Sequence, residues 1–445
     1  VLALRLTRGS HPAVQLRRLL VAVASAGTGF LLLCTLGYAM SHPDSAAAAA
    51  LRLAWCATPL AATVYFAVAV ARTDPATKPR PGLSAIGLGP GRLMAISATT
   101  TALACTLGSM LALLFFLHLR GDLTGMPFDG AAAEFLASDT PLPLPAALTL
   151  LAIVPVTASV AVAFTLRPKD TSPKNTPRSY GRFGAYGKSG TRETFGAYGR
   201  FGAHLRTGGR TAAVEDAPTP APEPAADTEP TTPDPDPTRP PAPREVPKGL
   251  PWGVAVLAAG LAVEAYANRT ADTDGLSMPG GHVGGPAGVL AGWVLTAIGL
   301  ALAGPGLTHL CGRLLQAVRP GALRLLAGRV LMEEATRIGR PLGVVCAVAS
   351  GAYAMTALYD TDAAVGPLTT LGTLLVTGCT VATLLTAAVE ARQARADTTA
   401  ALVRLGAPAT VLRSAAALRA GALLALFVPL TVVIAELAAL PLAHR

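Results

Sequence analysis

The chain has 445 residues, of which 51% are hydrophobic and only 14% charged, against about 25% charged in an ordinary soluble domain. Its mean hydropathy is +0.48, so the missing charge must belong to segments that meet no water, and a wholly soluble architecture is excluded. Lys and Arg outnumber Asp and Glu 36 to 26, for a formal charge of +10.

Nine apolar runs follow one another along the chain. They are Leu19–Met40, Leu53–Ala71, Ala95–His118, Leu144–Leu166, Leu250–Asn268, Ala287–Leu310, Pro341–Tyr359, Leu368–Val389 and Leu418–Leu440. About 20 apolar residues cross the hydrocarbon core as a helix, and lipid forces the backbone to satisfy itself. The runs are continuous rather than alternating, which rejects a β-barrel. The fold class is therefore all-α, a polytopic helical membrane protein of nine to ten spans. The first run is too long for a cleavable signal sequence.

Arg and Lys set the orientation. Arg5, Arg8, Arg17 and Arg18 precede the first run; Arg72, Lys78, Arg80 and Arg92 follow the second. Six arginines between Arg313 and Arg340 follow the sixth, and Arg392, Arg395, Arg404 and Arg413 follow the eighth. The alternate loops are poor in basic residues, with Asp122, Asp129, Glu134 and Asp139 in one and Asp360 and Asp362 in another. The expectation is a plasma-membrane protein with a cytoplasmic N-terminus. Nine spans would put His444 and Arg445 outside, so either the chain stops there or a tenth helix is missing. The richness in Ala, Gly, Pro and Arg is that of a high-GC genome such as an actinobacterium's.

Four regions result: a first membrane repeat over 1–166, a linker over 167–249, two connecting spans over 250–310 and a second repeat over 311–445. The linker is first basic, with YGRFGAYGKSG and FGAYGRFGAH, then rich in Pro, Asp and Glu. Without apolar periodicity it is expected to be disordered. Its GAYGKSG resembles a phosphate-binding loop, but the residue five before Gly187 is Arg182, where that loop needs Gly, and neither strand nor helix frames it. No folded nucleic-acid module accompanies its aromatics, and no nucleic-acid partner is expected.

Two segments echo each other. ALVRLGAPATVLRS, Ala401–Ser414, aligns without gaps to GLSAIGLGPGRLMAIS, Gly82–Ser97, pairing Leu405 with Ile86, Gly406 with Gly87 and Leu412 with Leu93. AVAS at 22–25 recurs at 347–350. Runs one to three thus match runs seven to nine in order and orientation, as a parallel repeat. Leu402, Leu405 and Leu412 are spaced to share one helical face, and Gly406 and Pro408 should break that helix.

These two segments, with the amphipathic lead-in Gly304–Val345, resemble the FtsX-like permease family of ABC transporters. The resemblance implies a membrane subunit without its own ATPase, coupled to a separate ATPase dimer. It also implies that a short cytoplasmic helix in each repeat docks on that ATPase. Carried over by position, the docking residues would be Gly87, Arg92 and Leu93 in the first copy, and Arg404, Leu405, Gly406, Pro408, Leu412 and Arg413 in the second. The sequence departs from the family in its outer loops. Ser41–Arg52 and Asp360–Gly366 are too short to fold alone, so any substrate meets membrane helices or another protein.

No metal-ligand spacing, catalytic constellation or cofactor motif is found among the seven histidines and six cysteines. Glu264 and Glu436 fall near outer helix ends, where a carboxylate is expected to reach headgroups or water. Membrane lipid is the expected surrounding partner. The leading reading is an ABC permease subunit. The other is a non-transporting scaffold or signal transmitter of the same descent, to which the short outer loops point.

Overall fold

The computed structural model describes residues 12–74, 90–123, 130–133, 136–167, 247, 249–270, 287–317, 321–358 and 366–443. These residues form eleven helices and no strand. The linker expectations, Gly87 and most of Asp360–Gly366 lie outside the described residues.

In chain order the helices are α1 (Pro12–Ser41), α2 (Ala46–Trp55), α3 (Ala57–Thr73), α4 (Pro90–Arg120), α5 (Leu144–Leu166), α6 (Gly249–Thr270), α7 (Ala287–Ala317), α8 (Ala322–Leu358), α9 (Pro367–Ala394), α10 (Ala396–Arg404) and α11 (Ala409–Ala443). Among the described residues, eight helical stretches are long and apolar enough to cross a membrane. This is a helical multi-pass membrane protein. α8 joins a charged half, with Arg324, Arg329, Glu333, Glu334, Arg337 and Arg340, to an apolar half that starts at Pro341.

The helices are longer than the apolar runs. α7 continues to Ala317 and α8 begins at Ala322, so most of the Arg-rich stretch expected as a loop is helical. A helix that satisfies its own backbone gains nothing by stopping where the apolar residues stop. The short loop expected over Ser41–Arg52 contains most of α2, none of whose residues is buried. There the Arg52 guanidinium lies 3.4 Å from the Tyr38 ring centre, and Tyr38 stacks on His42.

α1 packs along α4, and α4 along α5; α8 packs along α11. α9 packs on its sequence neighbour α8 and also lies against α3 and α1, far from it in the chain. Val21, Ala24, Phe66, Ala67, Val70, Cys105 and Cys379 form one buried cluster there. Hydroxyls stitch the same contact. Thr28 and Thr63 share a hydrogen bond of 2.8 Å, and Thr63 lies 3.9 Å from the Cys379 sulfur. The Thr28 hydroxyl also reaches the Ala24 carbonyl, so these buried polar atoms have partners, as an apolar interior requires.

Two serines cross between helices in the same way. Ser25 of α1 donates to the Cys105 carbonyl of α4 at 2.8 Å. The Ser350 hydroxyl of α8 donates to the Cys346 carbonyl of its own helix at 2.8 Å and also reaches the Thr431 carbonyl of α11 at 3.2 Å.

α6, α7 and α8 form a second layer built on glycine. A Cβ at Gly260 would lie 2.6 Å from the Thr296 nitrogen, and one at Gly339 would lie 2.6 Å from the Pro305 Cα. Gly304 and Gly343 allow the same close approach between α7 and α8. Backbones this near gain dispersion and Cα–H···O contacts that lipid cannot supply.

Candidate functional site

α10 is the feature that interrupts the bundle. It is nine residues long, ADTTAALVR, and none of them is buried. Arg395 is both the last cap of α9 and the first cap of α10, with φ −96° and ψ −3°, so the chain bends there without leaving helical hydrogen bonding. Asp397 sits in the first turn and Arg404 in the last, the charge order that suits the helix dipole.

The far end of α10 is a Schellman motif. The Ala407 N–H donates to the Leu402 carbonyl and the Gly406 N–H to the Val403 carbonyl, both at 3.0 Å. Such a cap needs a left-handed residue, and Gly406 has φ +88°. Pro408 then starts a new axis, its carbonyl accepting from the Val411 N–H at 3.1 Å, and α11 follows.

This turn brings Arg404, Leu405, Gly406, Pro408, Leu412 and Arg413 together. Arg404 and Arg413 are exposed, and Leu405 is 83% exposed. Arg392, Ala396, Thr399, Ala400, Val403 and Arg404 line an open groove between the end of α9 and α10. The site thus combines unburied apolar side chains with two flanking guanidinium groups, a surface suited to an acidic and apolar partner.

One expectation fails here. Leu402, Leu405 and Leu412 do not share a helical face: Leu402 is in α10, Leu405 is its cap and Leu412 is in α11. The Schellman turn redirects the chain between them, which residue spacing alone does not encode. In the first copy, Arg92 and Leu93 lie in the opening turn of the spanning helix α4, Arg92 exposed and Leu93 buried. A Pro at a helix start is well tolerated, and Pro90 opens α4 just before them.

Behind α10 lies a pairing that sequence reasoning passed over. Arg395 Nε stands 2.8 Å from Glu334 Oε1 of α8. Its N–H is directed at the Ala391 carbonyl, 3.1 Å away, so the contact with Glu334 is charge pairing rather than a hydrogen bond. The Glu334 side chain is 8% exposed. Burial pushes its carboxyl above the ordinary value, while Arg395, Arg419 and Arg337 pull it back down and Glu333 adds to the rise. The sequence signal was present: Glu333 and Glu334 are the only acidic residues between Arg313 and Arg340. A second ion pair, Arg18 with Asp74, ties the start of α1 to the end of α3.

Glu264 does not reach water. It is fully buried between α6 and α7, where Thr296 donates to Oε1 at 3.2 Å, because Gly260 and Gly292 let the two helices close over it. Glu436 is exposed and accepts from the Tyr353 hydroxyl at 2.9 Å. Among the described residues no group of three His, Cys, Asp or Glu side chains could hold a metal.

Comparison with protein-family models, curated proteins and solved structures gives no match.

Proposed function

We propose that this chain is the membrane subunit of an ABC-type system of FtsX-like descent, and that α10 is where a separate ATPase docks. The observation that carries this reading is α10 itself. A capped helix with no buried residue, held between two long helices, has its apolar contact area still unspent. Arg404 and Arg413 beside it would meet acidic groups on the partner.

The parallel repeat belongs to the same proposal. The donors Ser25 and Ser350 stand 325 residues apart, and their acceptors Cys105 and Thr431 stand 326 apart. Nearly equal spacing in two independent cross-helix bonds is what a duplicated trio, α1–α3–α4 and α8–α9–α11, would produce. The apolar half of α8 then serves as a ninth span. The basic ends, including Arg17, Arg18, Arg392 and Arg404, would face the cytoplasm in a plasma membrane.

One observation favours the second reading, a non-transporting scaffold. Arg92 and Leu93 belong to the spanning helix α4 and not to a separate docking helix.

Purification of the full chain from its native host in mild detergent tests the proposal. The expected result is an ABC ATPase in stoichiometric amount, lost when Arg404 and Arg413 are both changed to Glu. A preparation with no ATPase, unchanged by those substitutions, would overturn it and leave the scaffold reading.

A further inference from the structure

We infer that the Arg395–Glu334 ion pair is a positioning device: it fixes the angle of α10 and carries any displacement of α10 into α8 and its apolar half. As a transmission element it rests on the docking reading of α10. As a fixing element it stands on the geometry alone.

Three observations converge on it. First, Arg395 is the joint. It caps α9 and starts α10, so any swing of α10 moves the backbone from which this side chain springs. Second, α10 has little else to hold it. None of its residues is buried, and its main packing within the chain is on a few residues of α9. Its direction is therefore set by its two ends, the Gly406 turn and the Arg395 joint. Third, Glu334 is in a helix of 37 residues that continues without interruption from the charged lead-in through Pro341 to Leu358. A buried carboxylate cannot drift away from its counter-charges without a large electrostatic cost. Arg337 rides on the same helix and Arg419 belongs to α11, so Arg395, the guanidinium in direct contact, is the one that ties Glu334 to the α10 joint.

The arrangement is a two-point linkage. The Arg395 Nε–H is committed to the Ala391 carbonyl of α9, which stiffens the side chain at its root. Its charge is committed to Glu334 of α8. One residue thereby ties the end of α9, the start of α10 and the lead-in of α8. Arg395 and Glu334 touch no reacting atoms and act only through the helices they connect.

Charge exchange tests this. Spin labels at Thr399→Cys in α10 and Arg329→Cys in α8 report their separation in the full chain in lipid nanodiscs. Arg395→Glu or Glu334→Arg alone should broaden the distance distribution, and the exchanged double variant should narrow it again. Distributions unchanged by either single reversal would overturn the positioning role, whether or not any ATPase exists. Where an ATPase does co-purify, the single reversals should leave it bound but reduce permease-dependent ATP hydrolysis by about tenfold, with recovery in the exchanged variant. A bound ATPase whose hydrolysis is indifferent to all three variants would overturn transmission. Absence of any ATPase would count against the docking reading, and the spin-label result would still decide positioning.

Discussion

The α6–α7–α8 layer and α10 are opposites in how helices are held. In the layer, Gly260, Gly304 and Gly339 bring backbones so close that no Cβ fits. In α10 no residue is buried and Leu405 faces outward. The layer has used its contact area within the chain; α10 has not. Where lipid surrounds helices of equal greasiness, close small-residue packing is what makes one arrangement unique. A helix that forgoes such packing is held through its ends, here the Gly406 turn and the Arg395–Glu334 pair, and keeps its exposed face available, which is what a docking element needs.

The contrast predicts a graded set of effects. The largest should come from the layer. Gly339→Val forces a side chain into Pro305 and should cost about 3 kcal/mol or more, read as a fall in thermal unfolding temperature in detergent. A variant as stable as the native chain would mean that the helices are not this close. In α10 the sign of the experiment is different. Val403→Asp with Leu405→Asp should leave the unfolding free energy within about 0.5 kcal/mol of the native value, while removing a co-purifying ATPase. A marked loss of stability would show that these side chains are packed within the chain.

Gly406→Ala lies between these extremes. A left-handed alanine costs about 1–2 kcal/mol, and the loss is local. Amide hydrogens of Gly406 and Ala407 should exchange faster, while those of α7 are unaffected. Smaller effects than that should come from the two crossing serines. Ser25→Ala and Ser350→Ala should each cost about 0.6 kcal/mol, and their effects should add, since they sit in separate helix pairs. Strong non-additivity would mean that the α1–α4 and α8–α11 contacts are coupled more tightly than their separate bonds suggest.

How much of this was legible beforehand varies by element. The long helices α1, α4 and α5 could be read from apolar length alone. The charged extensions of α7 and α8 could not, because hydropathy marks what meets lipid and not where a helix ends. Gly406 and Pro408 were readable as a break, since few residues tolerate a left-handed cap. The direction the chain takes after that break was not, and so the supposed shared face of Leu402, Leu405 and Leu412 dissolved. Glu264 was misplaced for a related reason. Its depth depends on Gly292 of a different helix, which closes over it.

By itself, then, the sequence determined a chain of apolar helices with basic segments between them, because burial of apolar area and backbone self-satisfaction are properties of each segment separately. Only the tertiary structure decided that α9 lies against α3, that Arg395 meets Glu334 and that α10 is left without a buried face. Those are relations between segments far apart in the chain. Complementary shape and charge across several helices at once select them, and no local pattern records them.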